Sequence, residues 1–236
     1  MRLPPGAKVR PVAATPGASL PDWLKRVGGV LAINGGYFNH SDGVAVSHVG
    51  TDGHWLTHPE RNRALLRNPH LRGRLDAVLT RRVAWFDTGT TWLIRAWADA
   101  PTRWVHALQA GPQLLPELGL AEEAFRFRGP TGWRDGIQSQ QPAARSALGL
   151  RPDGGMIWAV ASAPGLTVRQ MADVMRHLQC QAAMALDGGG SSTLAWREGA
   201  VVRRLVGVGG APRPLPSALV WDDPRWQVQL VAGCAP

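Results

Sequence analysis

Lysine and cysteine are nearly missing from this chain. Of its 26 basic residues only Lys8 and Lys25 are lysines, so the formal charge of +9 rests on arginine. That skew reads as genome composition as much as selection for an anionic partner. Seven arginines fall between Arg61 and Arg82, alternating with apolar residues as on the wet face of strands. A solvated face accounts for them, with an anionic glycan or polyphosphate as the functional alternative; no basic helix points to a specific nucleic-acid partner. The 2 cysteines, Cys180 and Cys234, make neither a metal site nor a disulfide scaffold. They either pair, if the protein is exported, or remain free buried thiols. No run of 18 apolar residues occurs, which excludes a membrane-spanning helix. Residues 1–18 hold no apolar core of signal-peptide length, which fits either a cytoplasmic chain or one whose leader has been removed. No His/Cys/Asp cluster has metal-ligand spacing, so neither a metal nor another cofactor is expected.

What is present is a chain of 236 residues, long enough to bury a core, with no break in composition. We read it as one domain, 1–236. Short apolar segments punctuated by Gly, Pro and Asx dominate it. The fold expected is α+β, a β-rich domain with a twisted mixed sheet and a few packed helices. Two helices are well signalled. Ser19 caps the first, with Pro21 and Asp22 in its first turn and Gly28-Gly29 at its end. Thr167-Val-Arg-Gln170 is a capping box opening the second, whose stripe of Val168, Met171, Val174, Met175 and Leu178 reads as core packing. Pro116–Phe127 is a third candidate helix, and 128–143, rich in Gly, Gln and Pro, a loop. Strands are expected at Lys8–Ala14, Val30–Ile33, Val44–Val49, Ala64–Arg67, Leu75–Thr80, Val83–Phe86, Thr91–Trp97, Trp104–Gln109 and Ala144–Gly149. Further ones fall at Met156–Ala161, Ala182–Leu186, Thr193–Trp196, Val201–Val206, Ser217–Trp221 and Trp226–Val231.

Two strands end alike. Val30–Ile33 runs into Asn34-Gly-Gly-Tyr-Phe38, and Ala182–Leu186 into Asp187-Gly-Gly-Gly-Ser-Ser192. Glycines at such a tip let the backbone come close to a bound group, and successive amides there form a concave nest for anions. A carboxylate beside such a nest outlines a hydrolytic site; the plainer reading is a flexible Gly/Ser connector. Asp87-Thr88-Gly89 matches half of an aspartic-protease dyad, but no second copy occurs, so a hairpin turn is expected there. Arg145, at the start of its strand, is shaped to grip a phosphate or carboxylate at two points, although a surface arginine is the default.

Five pieces in order, Asn34-Gly-Gly-Tyr-Phe38, Ala110-Gly-Pro-Gln-Leu-Leu115, Arg145-Ser-Ala-Leu-Gly149, Leu186-Asp-Gly-Gly-Gly-Ser-Ser-Thr193 and Leu215-Pro-Ser-Ala-Leu219, resemble the phosphodiester glycosidase family. The resemblance covers roughly residues 8–221. It implies a hydrolase of sugar-1-phosphodiesters, acting on a phosphodiester-linked sugar or glycan, and it favours export. It implies that Asn34, Arg145 and Asp187 belong to the catalytic site. Gly35, Gly36, Tyr37, Gly111, Gly188, Gly189, Gly190, Ser191 and Ser192 would shape its walls and contact substrate. Asp187 would serve as acid, base or nucleophile, with Arg145 and the glycine turn holding phosphate. A non-catalytic glycan- or polyanion-binding module on the same fold is the alternative.

Overall fold

The computed structural model describes residues 1–87, 91–129, 132–211 and 213–223. Three five-stranded sheets share one apolar interior. The first runs in the order Arg2–Leu3, Met156–Leu166, Ala143–Leu150, Ala182–Ala185, Gln113–Leu115. The second runs Val201–Val206, Thr193–Glu198, Leu31–Asn34, Leu215–Trp221, Val9–Ala18. The third runs His54–Trp55, Val49–Thr51, Trp104–Gln109, Val83–Asp87, Trp92–Arg95. Leu148 and Trp158 from the first, Ile33 and Leu219 from the second, and Val49 and Leu108 from the third meet in that interior, each fully buried. Burial on this scale is the main stabilising term for such strands, which are too short to stand alone.

The chain is β-rich with few helices, as its punctuation suggested. Pairing among the described strands is antiparallel throughout, so three five-stranded antiparallel sheets and one two-stranded hairpin take the place of the single mixed sheet expected. Hairpins such as Ala143–Leu150 with Met156–Leu166 and Thr193–Glu198 with Val201–Val206 are antiparallel by construction, and the long-range pairs, Leu31–Asn34 with Thr193–Glu198 and with Leu215–Trp221 among them, run the same way.

Both signalled helices form. Leu20–Val27 is capped by Ser19, whose hydroxyl accepts from the Asp22 amide, and ends on a left-handed Gly28. Val168–His177 has the complete Thr167/Gln170 capping box. It lays Val168, Met171 and Met175 on the first sheet, while Val174 faces outward.

Five expectations fail for local reasons. Ala64–Arg67 and Leu75–Thr80 are short helical turns, not strands: Arg63–Leu66 starts where the Asn62 side chain accepts from the Leu65 amide, and Leu75–Leu79 buries only Val78. The alternation of arginine and apolar residues there follows a helical period. Pro116–Phe127 forms successive turns instead of a helix. Glu123 is drawn inward, its carboxylate accepting from the amides of Gln113 (2.6 Å) and Arg82 (3.1 Å), and Ala124 takes a positive φ. The expected loop 128–143 begins inside a hairpin, Arg126–Gly129 paired with Gly132–Asp135. Val44–Val49 is a strand only from Val49 onward, with an isolated bridge between Phe38 and Ala45. The turn at 88–89, the strand Trp226–Val231 and Cys234 lie outside the described residues; Cys180 is buried.

Candidate active site

The two glycine-tipped strands, one from the second sheet and one from the first, end against each other. The Asp187 amide donates to the Gly35 carbonyl (3.1 Å), and Asn34 Nδ2 donates to the Asp187 carbonyl (2.7 Å). Asn34 is 1% exposed and fully engaged. Its Oδ1 accepts from Ser146 Oγ (2.7 Å) and the Thr193 amide (3.1 Å), and Nδ2 also reaches the Gly35 carbonyl (3.4 Å). This amide therefore ties the two sheets together behind the site. Gly35 and Gly36 are in the same second layer: a Cβ at Gly35 would collide with Ser217, and one at Gly36 with the Gln109 carbonyl and Ser47.

In front of that layer opens a cleft of about 1170 Å³, into which Tyr37, Asp187, Gly188, Gly189 and Gly190 face. The chain turns from Asp187 through a single 3₁₀ turn, Gly189–Ser191, with Gly189 at φ +59. The Gly188 amide donates to Asp187 Oδ1 at 3.0 Å. Asp187 Oδ2, by contrast, is buried without a hydrogen-bond partner. Burial pushes the Asp187 carboxyl up to about 6, against the opposing pull of the nearby Ser191 hydroxyl, the Gly188 amide and Arg213. Ser191 Oγ makes no well-formed hydrogen bond, and Ser192 Oγ likewise lies buried and unpartnered beneath the turn.

Other carboxylates near the cleft are already occupied. Asp135, on the lining, accepts from the Ser139 amide with both oxygens and from its hydroxyl (2.7 Å). Glu123 sits behind Gly111, where a Cβ would strike its carboxylate, and burial raises its pKa. Among the described residues, Asp187 is thus the one carboxylate on the lining that retains an unengaged oxygen.

Arg145 stands at the cleft, but its guanidinium is largely committed. Nε donates to the Leu166 carbonyl (3.0 Å), Nη1 to Ile137 (2.9 Å), and Nη2 to Gln138 (2.9 Å) and Gln141 (3.1 Å). Four of five N–H donors are used, and the free one belongs to Nη1, the nitrogen nearest Gly188. Tyr37 donates from its hydroxyl to the Gly111 carbonyl (2.7 Å). Burial, helped by the Asp187 charge, drives its pKa far above the usual phenol range, so it stays protonated.

Sequence reasoning missed two arginines. Arg213 lies beside Gly190, its guanidinium 5.2 Å from the Phe38 ring centroid and its Nη2 2.6 Å from His40 Nδ1. Burial and Arg213 lower the His40 pKa, which leaves a neutral ring able to accept that bond. The remaining N–H groups of Arg213 have no partner among the described residues. Arg81 stacks on Phe125 at 3.7 Å, and burial brings it down to about 10. The one available signal for Arg213 was its place two residues before Leu215-Pro-Ser. Among the described residues, no group of three His, Cys, Asp or Glu side chains is placed to hold a metal ion.

A family model described as phosphodiester glycosidase matches residues 28–221. No curated protein matches the chain. Among solved structures, the catalytic domain of zebrafish N-acetylglucosamine-1-phosphodiester alpha-N-acetylglucosaminidase, auto-inhibited by its pro-peptide, is similar with a TM-score of 0.66. The identity is 16%, over 91% of this chain and 72% of that one. A hypothetical protein from Synechocystis is similar with a TM-score of 0.58 at 16% identity, over 92% of this chain and 56% of that one. At such identities these two likenesses speak for the fold.

Proposed function

Because this chain belongs to the phosphodiester glycosidase family, we propose that it hydrolyses glycosyl phosphodiesters in the cleft headed by Asp187. The observation that carries this reading is the buried, unpartnered Oδ2 of Asp187 beside the glycine turn. A buried polar atom without a partner costs stability and is kept where a ligand or reacting atom supplies the partner. With a pKa near 6, Asp187 is mostly ionised at neutral pH and works as base or nucleophile. The departing phosphate is itself a weak base, which removes the need for the second, acidic carboxylate of ordinary glycosidases.

The phosphate is held by Arg213, the free N–H of Arg145 and the glycine turn. Arg213 is the stronger holder, because stacking on Phe38 and the bond to His40 fix its fork while its other donors stay open. Arg145 contributes charge and, through its contacts with the carbonyls of Ile137, Gln138 and Gln141, fixes the loop 137–141 that forms part of the cleft wall. Asn34 acts from behind, holding the Asp187 backbone against the second sheet. Bound phosphate thus faces preset donors, so little reorganisation is needed as charge develops on the leaving group.

Asp187→Asn tests the reading. Assayed on a sugar-1-phosphodiester, it should lose about 10²- to 10⁴-fold in kcat, as expected for removal of a positioned general base or nucleophile. Equal product release by variant and wild type would remove Asp187 from the chemistry.

A further inference from the structure

The cleft is larger than a single sugar phosphodiester requires. Its volume of about 1170 Å³ exceeds the roughly 300–1,000 Å³ of sites that enclose a drug-sized ligand. The surplus is walled by two elements that the sequence did not reveal as such. One is the hairpin Arg126–Gly129/Gly132–Asp135, which carries Trp133 and Arg134 on the lining. The other is the run of short helical turns at 63–71, which carries Arg67 and His70.

This rim is aromatic and carries more positive than negative charge, Arg67 and Arg134 against the single carboxylate of Asp135. Trp133 is 65% exposed, the largest exposure of any big apolar side chain described, with the Arg126 guanidinium 4.6 Å from its ring centroid. Among the described residues neither Arg67 nor Arg134 has an ion-pair partner. The one carboxylate on the rim, Asp135, has both oxygens occupied by Ser139. An exposed indole stiffened by a cation, in a cleft that unpaired guanidinium groups also line, suits a sugar ring linked to phosphate.

We propose that Trp133, Arg134 and Arg67 form a second subsite that binds a further sugar-phosphate unit of the same substrate, so that the protein acts on a chain of phosphodiester-linked sugars. The proposal rests on the reading that Asp187 heads the cleft. It adds that the ligand extends beyond the bond being cleaved, and that affinity grows with the number of units. Charge complementarity selects the occupant: each unit brings one phosphate, and three arginines that line the cleft without an ion-pair partner among the described residues, Arg213, Arg67 and Arg134, offer more than one place to receive it.

The test is equilibrium binding to the Asp187→Asn protein, in which turnover does not intrude. The probes are a synthetic chain of three N-acetylglucosamine 1-phosphate units and the one-unit methyl diester. The three-unit probe should bind at least about tenfold tighter, the contribution of one or two charge-assisted contacts. Trp133→Ala and Arg134→Ser should each erase most of that advantage while moving one-unit affinity by less than about twofold, which also shows that the variants are folded. Equal affinity for the two probes, variants that leave the advantage intact, or equal losses for both probes would overturn the subsite. A single-stranded oligonucleotide of matched charge that binds as tightly as the three-unit probe would overturn it too. Retained turnover by Asp187→Asn would instead count against the catalytic reading, leaving the chain-length comparison to stand or fall by itself.

Discussion

Asn34-Gly-Gly and Asp187-Gly-Gly are two versions of one arrangement: an apolar strand, a polar residue at its tip, then glycines. They meet through the bond from Asn34 Nδ2 to the Asp187 carbonyl, yet their states differ. The Asn34 side chain has every donor and acceptor position filled and is 1% exposed. The Asp187 side chain keeps Oδ2 unpartnered, and burial lifts its pKa to about 6. A neutral amide fits the inner position, where four polar neighbours demand two donors and two acceptors. An acid fits the outer one, where a reacting group can supply what the fold withholds. The same local grammar therefore produces a brace in one place and a reactive group in the other, and satisfaction of hydrogen bonds separates them.

The largest expected difference between the tips is in turnover, where Asp187→Asn should remove about 10²- to 10⁴-fold of kcat while the fold persists. Asn34→Ala should act on the fold instead. Leaving the Ser146 hydroxyl, the Thr193 amide and the Asp187 carbonyl unpaired should cost about 3 kcal/mol, read by chemical denaturation. A loss under about 0.5 kcal/mol would erase the contrast between brace and reactive group.

Both tips could be read from residues, because an apolar run ending in a polar residue and glycines is a local pattern. The two capped helices were legible for that reason too. Their division of labour was not, since it depends on Ser146 and Thr193, which reach Asn34 from 112 and 159 positions away. Residues 116–127 misled because the inward pull on Glu123 comes from the amides of Gln113 and Arg82, which no helical period records. The turns at 63–79 misled because arginine alternating with leucine fits either period over so few residues. Arg213 was hidden among the chain's many other arginines and stands out only by its free donors beside Gly190.

The two arginines at the cleft differ in their free donors: Arg145 keeps one N–H, while Arg213 is bonded only to His40 among the described residues. Arg213→Ala should lower kcat/KM by about 10- to 100-fold through loss of a charge-assisted phosphate contact, with little change in stability. Were the activity loss absent, the phosphate would have to be held by the glycine turn and the single free N–H of Arg145.

The most direct measurement needs no substrate: the unfolding free energies of wild type and Asp187→Asn, compared from pH 4 to pH 8. A carboxyl raised from 3.8 to about 6 on folding stabilises the folded state below its unfolded pKa, and loses that contribution as pH rises through its folded pKa. The variant should therefore gain on wild type between pH 4 and pH 6, by about 2–3 kcal/mol in all, and hold that gain up to pH 8. A difference that stays constant across the range, or that moves in favour of wild type as pH rises, would mean that Asp187 is an ordinary, well-satisfied carboxylate, and would contradict the account.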